Sequence, residues 1–179
     1  MNGNFAHATG LAFGIVIGLV LAVLLVRFAN RNKKYKTEYD ERQIRVRGDA
    51  YRYAFYTVVI YEAIMFVLGM GEIALPVNGA ILYLAGVFLG CIVLCAYCIW
   101  KDAYWGLNNN RKRYGVIFVI CALLNLIPVI GAFADGSMVQ DGMLSTPFIN
   151  LMVCVMLLII GVELLVKHIQ EKRAEQPED

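Results

Sequence analysis

Three long tracts of this 179-residue chain hold no Lys or Arg: residues 1–26, 53–100 and 114–166. Charged residues are only 17% of the whole and hydrophobic residues 60%, with a mean hydropathy of +0.63. A soluble domain is nearer half apolar and a quarter charged, so this balance argues against an ordinary globular domain. Cysteine is absent from every segment between the apolar runs. All five (Cys91, Cys95, Cys98, Cys121 and Cys154) lie inside those runs, which argues against a disulfide framework. Histidine is nearly absent too. His7 and His168 fall at opposite ends of the chain, on opposite sides of a membrane in the topology derived below, and so argue against joint ligation of a haem iron. There is no phosphate-binding loop, zinc-protease motif or Gly-x-Ser-x-Gly elbow. The first apolar run lacks a basic residue before it and a small-x-small cleavage pattern after it, so it reads as a span rather than a secretory signal.

What the chain does contain is five apolar runs of membrane-spanning length, at about residues 9–29, 54–71, 79–100, 114–134 and 148–166. All sixteen Lys and Arg residues fall at the end of the first run (Arg27) or after it, between the third and the fourth, or after the fifth. Basic loops stay in the cytoplasm. The pattern predicts an all-α polytopic membrane protein of five transmembrane helices forming one membrane domain over 1–179, with the N-terminus outside and the C-terminus inside. The expected location is a bacterial plasma membrane. The basic segments would meet anionic lipid headgroups rather than nucleic acid.

Residues 30–53 form the longest aqueous segment. Thr37 and Asp40 resemble a capping box. Glu38 with Arg42, and Glu41 with Arg45, are acid-before-base pairs four residues apart, the favoured order on a helix. A cytoplasmic or interfacial helix over about 38–53 is expected, running into the second span. It is either a self-paired, solvated connector or a docking surface. Aromatic residues Trp100, Tyr104, Trp105 and Tyr114 flank the next inner loop, as rings at headgroup depth do. Asn108, Asn109 and Asn110 make a turn there.

Small residues recur every fourth position at Ala6, Gly10, Gly14, Gly18 and Ala22, and again at Gly86 and Gly90. Such stripes let helices approach closely in lipid. The partner of the first stripe is a helix of this chain, of a second copy, or of another protein. Glu62 lies about midway along the second span, where an intramembrane charge costs roughly 2.5–3.5 kcal/mol on insertion scales. It is either a proton or cation site, with Asn125 and Tyr83 as companions, or a neutral hydrogen-bonded residue that joins helices. Glu163 stands four residues before Lys167 and reads as its surface ion-pair partner. Cys91, Cys95 and Cys98 share a helical face. Thiolates bind soft metals, but no His lies in any span, so small apolar packing residues are the simpler reading and no metal or cofactor is expected. His7, Asp135, Asp141, Ser137 and Ser145 all fall on the outer side and read as loop residues rather than a hydrolytic set.

The run Tyr39-Asp40-Glu41-Arg42-Gln43 with Arg47-Gly48, and the run from Asp102 through Tyr104, Trp105 and Gly106 to Asn110, resemble small, uncharacterised multi-span membrane proteins of Gram-positive bacteria. The resemblance covers the two inner segments. It implies a regulatory or accessory role beside helix-turn-helix regulators, and no catalytic residues. The inner helix is expected to pack on the inner loop, with Asp40, Glu41 and Asp102 pairing with Arg42, Arg47 or Arg111. The function expected is therefore a non-enzymatic membrane protein acting through cytoplasmic protein contacts, with a membrane or cytoplasmic partner or a second copy. The alternative is a small oligomeric transporter or channel using Glu62.

Overall fold

A computed structural model of the chain describes residues 9–10, 13–14, 16–18, 20–21, 23–24, 27, 37–73, 75–108 and 111–174. His7, Ala6, Ala22, Asn109 and Asn110 lie outside them. The chain divides into two compact units, Met1–Glu38 and Tyr39–Asp179. In the first unit every described residue between Thr9 and Arg27 is helical.

The second unit holds four long helices: α1 (Glu41–Met70), α2 (Gly79–Trp100), α3 (Arg111–Ala134) and α4 (Pro147–Ala174). Among the described residues, these four helices are long and apolar enough to cross a membrane. Their large apolar side chains point outward: Phe66, Met70, Ile127 and Leu158 are all about two-thirds or more exposed, while few apolar residues are buried. A water-soluble monomer does not show apolar surface on this scale. Helix α1 packs on α2, α2 on α4, and α4 on α3.

The inner helix and the second apolar run are one continuous α1 of 30 residues. At 1.5 Å per residue that is about 45 Å, against roughly 30 Å of hydrocarbon. About ten residues therefore project beyond it, and the charges of Glu41, Arg42, Arg45, Arg47, Asp49 and Arg52 identify the projecting end. Helix α4, at 28 residues, likewise overruns at its charged end. Asp40 caps α1: its carboxylate accepts from the Gln43 amide at 2.6 Å, and the Gln43 side chain accepts from the Asp40 amide at 3.3 Å. The capping box is thus Asp40 with Gln43 rather than Thr37 with Asp40. The extended backbone of Asp40 (ψ 168°) swings its carboxylate toward the first turn.

Glycine sets the α1–α2 seam. A Cβ on Gly86 would stand 2.6 Å from a Tyr61 ring carbon, and one on Gly90 would stand 2.7 Å from Val58 Cγ2 and 3.4 Å from the Ala54 carbonyl oxygen. Tyr61 closes the seam by donating its hydroxyl to the Leu82 carbonyl at 2.9 Å. At the opposite end of the bundle from the charged extensions, the turn between α3 and α4 folds into a small antiparallel hairpin, β1 (Val139–Gln140) and β2 (Met143–Leu144). Asp141 and Gly142 take positive φ (50° and 75°), the conformation that tight two-residue hairpins require. Met138 tucks under it against Val129 and Ala132.

Candidate functional site

The charged end of the bundle is organised by a clamp between the start of α1 and the turn after α2. Helix α2 ends at Trp100, and Asp102 turns the chain with φ +55°, a left-handed conformation that Asp tolerates better than most residues. The Ala103 amide then returns to the Cys98 carbonyl at 2.8 Å. Ala103 and Cys98 are both fully buried. This turn leaves the carbonyls of residues 101–105 without helical partners, and α1 supplies the donors. Arg42 donates to the Lys101 carbonyl at 2.8 Å and to the Asp102 carbonyl at 3.4 Å. The Gln43 side-chain amide donates to the Asp102 carbonyl at 2.9 Å and the Trp105 carbonyl at 3.1 Å. Arg47 donates to the Ala103 carbonyl at 3.3 Å while its guanidinium lies 4.3 Å from the Tyr39 ring centroid. Behind the clamp, Tyr53 and Tyr97 meet with ring centroids 5.1 Å apart.

Gln43 is the hinge of this arrangement: it caps its own helix, holds the turn through two bonds, and is the one buried polar residue among those described. Sequence reasoning passed over it, although Asp40-x-x-Gln43 is itself a capping pattern. The start of α1 and the turn after α2 do meet, but through backbone carbonyls: Arg42 and Arg47 bind the 101–103 carbonyls, Asp40 is a cap, and Asp102 takes a third helix as its partner. Lys167 of α4 stands 3.0 Å from the Asp102 carboxylate. Arg111 opens α3. Burial pushes the Tyr104 phenol up to about 12, and its ring meets Trp105 edge-on at 4.9 Å.

The pairing of Glu163 with Lys167 is overturned by the same contact. Lys167 reaches Asp102, and Glu163 Oε2 is enclosed without a hydrogen-bond partner, as no other buried side-chain polar atom among the described residues is. Glu62 lies half-buried against Gly86, with its Oε1 2.9 Å from where a Cβ there would stand. Glu62 and Tyr83 border one cavity of about 710 Å³. Asn125 is not brought to them: it sits on α3 and donates to the Cys121 carbonyl one turn back, at 2.8 Å. Gly10, Gly14 and Gly18 lie on the helical stretch of the first unit, with no described atom within 4 Å of a Cβ at any of them. Cys98 is buried, Cys95 half-buried and Cys91 exposed. Among the described residues no three His, Cys, Asp or Glu side chains gather as metal ligands. At the hairpin end, Ser145 donates to the carbonyls of Ser137 and Met138. Asp135 accepts from the Ser137 amide at 2.9 Å, and its bonds to Ser137 hold its carboxyl below the ordinary range.

No family model matches the chain, and neither a curated protein nor a solved structure matches it.

Proposed function

We propose that this is a regulatory or accessory membrane protein that acts through protein contacts on its cytoplasmic face. In this reading it has five spans, the N-terminus outside, the C-terminus inside, and a bacterial plasma membrane as its home. The observation that carries the reading is the two-faced start of α1. One face, Gln43, Arg47, Ala50 and Ala54, is committed to the clamp and to α2. The other runs through Glu41, Ile44, Arg45, Gly48, Tyr51 and Arg52, all exposed, with Ile44 at 59% and Tyr51 at 57%. Exposed Tyr and Ile between Arg residues, on a helix fixed in place from behind, make the kind of surface protein interfaces use. Fixing the helix in advance lowers the ordering cost of binding. The basic end of the bundle faces the cytoplasm by the positive-inside rule.

The test is the composition of the complex after gentle extraction from native membranes. A second protein should accompany the wild-type chain and be lost from an Ile44→Ala, Tyr51→Ala double variant that still inserts. A complex unchanged by both substitutions contradicts the reading. The cavity beside Glu62 and Tyr83 favours a second reading, a transporter or channel. In that case Glu62→Gln abolishes pH-dependent flux in liposomes, whereas the α1 face variants leave it intact.

A further inference from the structure

A groove of about 1200 Å³ opens between the end of α2, the 102–107 turn, α3 and α4. Its polarity is graded. Along α4 the lining runs from Cys154 through Leu157 and Gly161 to Leu165, then changes to Lys167, His168 and Glu171. Along α3 it is apolar from Phe118 to Leu126. From residue 154 to residue 165 a helix rises about 16 Å, close to half of a roughly 30 Å hydrocarbon core. The apolar part of the groove thus matches one leaflet in length, and its polar mouth falls where headgroups lie.

Two glycines deepen the slot. Gly115 and Gly161 line it from facing helices, and a Cβ on either would meet nothing within 4 Å. They differ from Gly86 and Gly90, whose places are filled by Tyr61 and Val58. A helix-interior glycine weakens its helix, and over Gly115 and Gly161 the space it frees lies inside the groove. The charged lining of the mouth is Asp102, Lys167 and Glu171, and the sequence segments that adjoin it, 101–113 and 167–174, carry seven Lys or Arg against two Asp or Glu, a balance that favours an anionic occupant. Lys167 spends one donor on Asp102 and keeps others.

We propose that this groove binds an anionic phospholipid, with an acyl chain over Gly115 and Gly161 and the phosphate at Lys167 and His168. Basic pockets between spanning helices hold anionic headgroups by this chemistry. The site depends only on the helices crossing a bilayer, and so stands apart from partner docking.

The experiment is native mass spectrometry of the full chain in detergent, titrated with phosphatidylglycerol or phosphatidylcholine. The wild-type chain should retain phosphatidylglycerol at concentrations that leave phosphatidylcholine unbound. Lys167→Gln should weaken phosphatidylglycerol about fivefold, as expected for one cationic contact. Gly161→Leu fills open space and should expel either lipid while the chain melts no lower than the wild type. Equal retention of the two lipids by the wild-type chain overturns the proposal without any variant, and so does undiminished binding by Gly161→Leu.

Discussion

The α1–α2 seam and the α3–α4 groove each carry two glycines and use them in opposite ways. At Gly86 and Gly90 the missing side chain is occupied by the neighbouring helix. At Gly115 and Gly161 the space is left open. The difference follows from what surrounds each pair. Helix α1 brings Val58, Tyr61 and Glu62 down onto α2, and its far end is pinned by the clamp, so the two helices are held together along their length. Helix α3 meets α4 near the hairpin, where Val129, Ala132 and Met138 pack with Phe148 and Leu151, and the groove opens toward the other end. Small residues permit close approach; whether it happens depends on which side chains arrive from the other side.

The largest effect that would break this contrast is at the seam. Gly90→Leu drives a side chain into Val58 and the Ala54 backbone, and should cost about 3 kcal/mol, the upper end of ordinary overpacking. Gly161→Leu meets no atom and should not destabilise the chain, since replacing a helix-interior glycine by Leu gains up to about 1 kcal/mol. Thermal unfolding in one detergent measures both, and equal losses would erase the distinction between the two glycine pairs. Next in size is the clamp. Gln43→Ala removes its bonds to the Asp102 and Trp105 carbonyls, leaves Asp102 the longer bond from Arg42, and removes half of the capping box, a loss of about 2 kcal/mol. Protection of α1 and of the 101–107 turn against hydrogen exchange should fall together, and loss in α1 alone would show that the turn holds itself.

A smaller gain is expected on α4. Glu163 Oε2 is enclosed without a partner, so Glu163→Met, of similar length and without the carboxyl, should raise stability by about 1 kcal/mol. A lower melting temperature would show that the carboxyl contributes something the contacts do not reveal. The smallest effects are in pH. The folded chain holds the Tyr104 proton to about 12, against an ordinary 10.0. The stability it lends is complete below pH 10 and is lost as pH rises toward 12. Tyr104→Phe should flatten that slope. Asp135 has the opposite sign, since its carboxyl is held low by Ser137. Its contribution is present above the ordinary carboxylate range and fades as acid protonates it, and Ser137→Ala, which loses the hydroxyl and keeps the amide bond, should weaken that dependence.

The sequence carries the membrane-spanning helices of the second unit openly, because a bilayer demands long apolar runs and uninterrupted helix. The meeting of the two inner segments was also legible, from a charged helix and an aromatic loop of matching placement. The chemistry of their contact was not. Arg42 and Arg47 suggested carboxylate partners, yet they bind backbone carbonyls, which every residue carries and no residue type advertises. The positive φ of Asp102 decides which carbonyls are offered, and that conformation appears only once the turn is built. Lys167 lies one helical turn from Glu163, but Asp102 comes closer across the helix interface. The hairpin at Asp141-Gly142 had a signal, since Asp-Gly is a favoured two-residue turn.

In the proposed function the clamp presents one face of α1 to a partner. A photocrosslinking residue at position 45, in intact cells, tests this directly. A discrete protein adduct should form on the otherwise wild-type chain and vanish when Gln43→Ala is added, with insertion into the membrane unchanged. No adduct, or the same adduct with and without Gln43, would contradict the account.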